Sequence, residues 1–99
     1  MRKIKVIAKR ADKPEPYVTW ISDSLKNLQN FVGGFIETVT VATDLVIICN
    51  EEGRLQGLPY NCEALGITFV GDILFVGVDG EEFADCPADL ETIKGMISD

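Results

Sequence analysis

The sequence contains no histidine. Histidine is the usual general base near neutral pH and a common metal ligand, so its absence excludes every histidine-dependent catalytic triad. The three cysteines, Cys49, Cys62 and Cys86, have no Cys-x-x-Cys spacing, which argues against a zinc site. We therefore predict no catalytic residue, no metal and no cofactor, in a protein that is not an enzyme.

Long hydrophobic runs are also absent. No run approaches the roughly 18 apolar residues that span a bilayer, and Lys9 interrupts the short apolar stretch near the N-terminus, unlike a signal peptide. The odd number of cysteines favours a cytoplasmic protein with reduced thiols. Within that interpretation, Cys49 is expected in the core, whereas Cys62 lies in a polar loop and could be a reactive thiol. Cys86 is expected near the start of a helix.

Positive charge is scarce beyond the first sixteen residues. Residues 1–16 carry a net charge of +4, and residues 17–99 carry −11. An acidic body repels phosphates, so direct binding of nucleic acid is disfavoured. The acidity either keeps the protein soluble or marks a surface that mimics nucleic acid or binds a basic partner.

The length and the apolar pattern predict one α+β domain over residues 1–99. The expected order is β-β-α-β-β-loop-β-β-α, with a mixed or mainly antiparallel sheet of five to six strands and two helices on one face. The last helix is expected to be capped by Asp85 or Cys86. The strands are expected at 4–8, 17–21, 35–42, 45–49, 67–70 and 73–78, and an irregular loop at 54–65. A first helix of about ten residues is expected between the N-cap residues Ser22-Asp23-Ser24 and Gly33.

Gly33 and Gly34 follow an apolar helical stripe and precede an apolar strand. A phosphate-binding glycine loop has the opposite order, because it follows a strand and opens a helix. We therefore expect Gly33 to end the helix in a left-handed conformation.

Five residues are candidates for binding. Glu37 interrupts an apolar strand, where a carboxylate lies at an edge, has a partner such as Arg54 or an N-terminal lysine, or contacts a ligand. Asn50, Pro59 and Asn61 flank or occupy an irregular loop that can line a pocket. Glu51 lies in an acidic turn without the spacing of a calcium loop.

An ordered set of short motifs carries a family resemblance over about residues 17–83. The set is Leu28-Gln29, Val32-Gly33-Gly34, Ile36-Glu37, Cys49-Asn50-Glu51-Glu52-Gly53, Gly57-Leu58-Pro59 with Asn61, and Gly71-Asp72. It resembles a family of small uncharacterised proteins, a domain of unknown function from phages and mobile elements of Gram-positive bacteria. The resemblance implies a single domain and no established activity. Where that family often has a basic residue after Asn61, this chain has Cys62, which argues against a phosphate contact there.

Two classes of function follow. The first is a non-catalytic interaction module that acts on a host protein, for which an acidic anti-defence inhibitor is one form. The second is a small-molecule-binding domain that uses the loop from Asn50 to Asn61. Because opposite charges are segregated along the chain, a homodimer is also predicted, with Lys3, Lys5 and Lys9 on an edge strand near Tyr17 and Trp20.

Overall fold

The structure of the protein is a computed structural model that describes residues 2–98. Its elements are β1 (Lys3–Lys9), β2 (Tyr17–Ser22), α1 (Leu25–Val32), β3 (Ile36–Ala42), β4 (Leu45–Asn50), β5 (Tyr60–Ala64), β6 (Ile67–Val70), β7 (Ile73–Asp79), β8 (Glu82–Ala84), α2 (Leu90–Met96) and β9 (Ile97–Ser98). Six strands form an antiparallel sheet in the order β2-β1-β7-β4-β3, with β8 also paired to β7. The predicted α+β class, with a mainly antiparallel sheet and two helices, is confirmed.

Both faces of the main sheet are covered, and β4 is buried along its whole length. Val46 and Ile48 of β4 pack in a core with α1. Ile47, on the opposite face, packs in a second core that includes Ile93 of α2. The prediction that both helices lie on one face is therefore wrong. An apolar stripe shows that a helix packs on a sheet, but both faces of this sheet offer apolar side chains.

A second sheet, in the order β6-β5-β9, covers the α2 face of the main sheet. Its strand β5 lies within the segment 54–65 that was expected to be irregular, so that expectation is wrong for residues 60–64. The β5–β6 turn has positive φ at Leu65 (55°) and Gly66 (77°), the pattern of a type I′ hairpin. Leucine is rare in this conformation. Because the turn residues are Leu65 and Gly66, the sequence lacked the Asn-Gly or Asp-Gly pair that usually predicts such a hairpin.

The C-terminal helix begins later than predicted, because Asp89 is its N-cap and accepts a hydrogen bond from Thr92 N. Asp85 instead accepts a hydrogen bond from Lys5 N at 2.8 Å, and Cys86 N donates to Lys5 O at 2.8 Å. This segment runs close to Gly77, where an added Cβ would lie 2.0 Å from Asp85 O. The segment is therefore tied to β1 and β7 before the helix starts.

The first strand is not a sheet edge, because β1 lies between β2 and β7. Lys9 is buried, so the prediction of three lysines along an edge is wrong. The edge strand on this side of the sheet is β2, which exposes Trp20. The homodimer stays a prediction, but the lysine-lined edge that was one argument for it is not present.

The glycine pair ends α1 as predicted. Gly33 has φ of 82° and donates its N–H to Gln29 O at 2.8 Å, while Gly34 N donates to the same oxygen at 3.1 Å. The left-handed C-cap is therefore confirmed.

All three cysteines are reduced and buried, as expected for Cys49. Cys62 lies on β5 and is completely enclosed in the core between the two sheets, so its predicted placement in a polar loop was wrong. No helix within residues 2–98 is long and apolar enough to cross a membrane.

Candidate binding cleft

A cleft of about 500 Å³ separates the β3 edge of the main sheet from β6 of the second sheet. We call it the β3–β6 cleft. It brings together three of the five predicted residues, Glu37, Asn50 and Glu51, and does not include Pro59 or Asn61. The remaining lining residues are Val39, Cys49, Glu52, Gly53, Arg54, Leu55, Ile67, Thr68, Phe69 and Val70.

Asn50 shapes the end of the cleft from a buried position. Its Nδ2 donates to Val32 O and to Gln56 Oε1, both at 3.1 Å, and its Oδ1 accepts from Glu52 N at 2.8 Å. Gly34 allows this close packing, because an added Cβ there would lie 2.9 Å from Asn50 Nδ2. Asn50 thus ties the end of α1 to the turn that follows β4, and its amide is already engaged by the protein.

The charged side chains that line the cleft are mostly acidic. Glu37, Glu51 and Glu52 are exposed, and Arg54 is the only cation among the lining residues. Arg54 Nη2 donates to Thr68 O at 3.0 Å, which anchors it on β6. In the described part of the chain Glu37 forms no ion pair, so its edge position, rather than a basic partner, explains the carboxylate in this strand.

Cys49 lies opposite Glu37 in the register of β3 and β4. Burial raises the pKa of the Cys49 thiol to about 11, and the negative charge of Glu37 adds to the effect. At neutral pH this thiol is therefore protonated and a poor nucleophile. We therefore interpret Cys49 as a packing residue of the cleft and not as a nucleophile.

Apolar surface is exposed beside these carboxylates. Leu55 is 86% exposed at the turn after β4, and Ile67 is 41% exposed on β6. Phe35, which precedes β3 and is 64% exposed, shares its strand face with Glu37 and Val39. A ligand that combines positive charge with apolar groups would complement this combination.

The other two predicted residues lie elsewhere. Pro59 is exposed, and its carbonyl accepts a hydrogen bond from Gly71 N at 2.8 Å. Asn61 is buried: its Nδ2 donates to Lys9 O at 2.8 Å and to Gly71 O at 2.7 Å. Through these hydrogen bonds, both residues hold β5 to the loop before β7.

The buried ammonium of Lys9 is held by neutral oxygens. Its Nζ donates to Asn61 Oδ1 at 2.9 Å, Arg10 O at 3.0 Å and Lys13 O at 2.7 Å. These three bonds use all three protons of the ammonium group. The network joins β1, the loop after it and β5, and neither Lys9 nor Asn61 faces the cleft.

Sequence reasoning named Arg54 only as a possible partner of Glu37, included Leu55 only as part of the Asn50–Asn61 loop, and missed Ile67 and Thr68 as cleft residues. The exposed Leu55 in a polar turn was an available signal. No local pattern places β6 over β3, since the two strands are separated by the whole of β4 and β5. Across residues 2–98 no three Cys, Asp or Glu side chains are grouped so that they can hold a metal ion.

Comparison with protein families gives a match over residues 4–98 to the family described as Domain of unknown function (DUF3846). The chain belongs to this family. The match includes the whole cleft and the whole Lys9–Asn61 network, so both are parts of the DUF3846 domain in this chain. The resemblance seen in the sequence is thereby confirmed as membership of a domain family of unknown function. No curated protein and no solved structure matches the chain.

Proposed function

We propose that this DUF3846 domain is a non-catalytic interaction module that binds a basic segment of a partner protein in the β3–β6 cleft. The observation that carries the proposal is the composition of the cleft mouth. Three exposed carboxylates and exposed apolar side chains line the same cleft, and the one cation among the lining residues is anchored on a backbone carbonyl. Complementary charge gives such a site specificity and fast association.

The distribution of acidic residues favours a cleft over an extended acidic ridge. Glu37 and Glu51 lie near the end of β4, whereas Glu81 in the β7–β8 turn and Glu82 at the start of β8 lie near the start of β4. A mimic of nucleic acid needs carboxylates spaced along one continuous path. Two acidic groups at opposite ends of a central strand suit a local basic ligand better.

The resemblance to phage and mobile-element proteins suggests the setting of this interaction. We infer a cytoplasmic protein that acts on a protein of the bacterial host. An acidic inhibitor of host defence is one form of such a module. In this proposal the domain works by occupying a surface and not by catalysis.

A charge-reversal experiment tests the proposal. Tagged wild-type protein is used to capture host proteins, which are identified by mass spectrometry and then purified for affinity measurements. The double variant Glu37→Lys/Glu51→Lys should lose a specific partner. The matched control Glu81→Lys/Glu82→Lys changes the net charge equally at the other end of the sheet and should retain it. Equal loss in both variants would show that net charge alone drives capture, and the proposal would be wrong.

A second candidate is a small cationic ligand in the same cleft. Its volume of about 500 Å³ falls within the usual range for ligand pockets. Native mass spectrometry of the purified protein would distinguish the two, because a retained small molecule adds a defined mass. Loss of that mass in Glu37→Lys/Glu51→Lys, without loss of any protein partner, would favour the small ligand.

A further inference from the structure

The open edge of the main sheet next to the cleft is β3. We propose that the partner segment binds as an added antiparallel strand along Ile36–Thr40, an inference that rests on the proposed function. The span is limited at its far end by the irregular register between Thr40 and Ala42. Five residues of extended chain cover about 16 Å.

The hydrogen-bond pattern of β3 identifies the backbone groups that are available. Glu51 N donates to Phe35 O at 2.8 Å, so Phe35 and Glu51 form a hydrogen-bonded pair in the register of β3 and β4. Such pairs alternate along an antiparallel ladder, and Glu37 and Val39 therefore direct their N–H and C=O groups toward β4. The corresponding groups of Ile36, Thr38 and Thr40 point away from the sheet.

Side chains of β3 alternate between the two faces. Glu37 and Val39 lie on the cleft face, while Ile36, opposite Asn50, lies on the face of α1. Residues that are directly opposite in an antiparallel pair contact each other, and opposite charges there are favourable. The added strand should therefore present Lys or Arg opposite Glu37 and an apolar residue opposite Val39.

The same features select a basic partner over a second copy of this chain. Two β3 edges paired antiparallel would bring Glu37 of each copy onto one shared ladder, where the two carboxylates repel. A second β3 strand also contains no basic residue that could pair with Glu37. A basic segment replaces this repulsion with attraction.

The other open edges are less suited to this role. The edge strand β2 contains no charged residue and so offers no complement to a basic segment. On β6 the outward carbonyl of Thr68 already accepts the hydrogen bond from Arg54. Among β2, β3 and β6, only β3 combines open backbone groups with an acidic side chain.

The test uses a synthetic peptide with blocked ends in which Thr alternates with Lys and Val. Binding is followed by fluorescence anisotropy of a dye on the peptide. In an added strand the Lys and Val residues lie opposite Glu37 and Val39, so the N–H groups of the Thr residues point toward β3. N-methylation of the Thr residues should weaken binding by about tenfold or more, and N-methylation of the Lys and Val residues should change it less than about threefold.

A pair of protein variants tests the same contact from the other side. Thr38→Pro and Thr38→Ala both remove the threonine side chain, but only proline removes the outward N–H. Thr38→Pro should weaken binding by about fivefold or more relative to Thr38→Ala, with folding checked by circular dichroism. Should Thr38→Pro fail to fold, the two N-methylated peptides still decide the question.

The fluorescence of Trp20, the only tryptophan, detects binding at the opposite edge of the sheet, because Trp20 lies on β2. Its emission should stay unchanged when the peptide binds, and a shift that follows the binding curve would place the peptide on β2 and overturn the inference. Equal effects of both N-methylations would overturn strand addition while leaving the cleft as a binding site. No binding of the unmodified peptide at about 1 mM would also overturn strand addition, and the lysate capture would then test the proposed function separately.

Discussion

Replacing Asn61 by alanine should destabilise the protein severely, although this residue was first a candidate for ligand binding. Its side chain makes three buried hydrogen bonds, at 2.7 to 2.9 Å, to Gly71 O, Lys9 O and Lys9 Nζ. The substitution leaves two carbonyls and one ammonium proton short of a partner. Each such buried group costs about 1–3 kcal/mol, so we expect a loss of about 3–5 kcal/mol in the free energy of unfolding.

Urea denaturation measures this loss directly, and Asn30→Ala is the matched control. Asn30 is exposed on α1, where alanine favours the helix, so the control should be neutral or slightly stabilising. The melting temperature of Asn61→Ala should fall by more than about 12 °C, since 1 kcal/mol corresponds to about 4–8 °C in a domain of this size. A loss below about 1 kcal/mol would refute the structural role and restore Asn61 as a candidate ligand contact.

A double-mutant cycle tests whether Lys9 and Asn61 act together. Lys9→Met removes the ammonium that Asn61 Oδ1 accepts from, and it leaves that oxygen and the carbonyls of Arg10 and Lys13 without this donor. The double variant should be more stable than the sum of the single losses predicts, with a coupling of about 0.5–3 kcal/mol. Strict additivity would show that the two residues stabilise the protein independently.

Three further predictions test local features. Leu65→Asn places a residue suited to positive φ at the type I′ turn and should raise stability by about 1 kcal/mol, whereas Leu55→Asn, also exposed, should give no gain by thermal denaturation. Gly33→Val should cost about 1–2 kcal/mol in urea denaturation, since φ is 82°, and a neutral result would contradict the capping role. The pKa of Cys49 is raised from 9.0 to about 11 in the folded protein, so the thiol of the unfolded chain ionises first as the pH rises. The free energy of unfolding should therefore be constant below pH 9 and fall by at most about 2 kcal/mol by pH 11. Cys49→Ala should reduce this alkaline loss of stability, and Glu37→Gln should lower the Cys49 pKa slightly. If the stability of Cys49→Ala depends on pH as the wild type does, the loss does not come from Cys49.

Much of the fold was predictable because its strands and first helix have strong local signals. The uniformly apolar segment of β4 is typical of a strand buried on both faces, and Ser24 and Gly33 bound an apolar helical stripe. These features depend on residues that are close in sequence. The β5–β6 hairpin was missed because Leu65 adopts positive φ without a residue type that announces it.

The arrangement of elements was less predictable, for a different physical reason. Which face of a sheet a helix covers depends on the lengths and directions of loops, and both faces of this sheet are apolar. The short strands β8 and β9, of three and two residues, exist only through pairing with β7 and β5. Their own sequences are too short to show a period.

The five candidate residues separate according to what already satisfies their polar groups. A polar residue in an apolar stretch has the same appearance in a sequence whether it binds a ligand or completes the fold. Asn50 and Asn61 are buried and use both their donors and their acceptors within the protein. Their partners lie up to 52 residues away in the chain, which is why local reasoning could not identify them.

Glu37 differs from both asparagines, because the fold makes no comparable use of its side chain. It is exposed on an edge strand, without an ion-pair partner in the described part of the chain, and next to a cleft. Edge carboxylates also prevent sheets from pairing wrongly, so this position alone does not identify a ligand site. What distinguishes Glu37 is the convergence of Glu51, exposed apolar side chains and outward backbone groups at the same edge. A residue that only protected the edge would need none of these neighbours, and the charge-reversal and N-methylation experiments therefore test their combined effect.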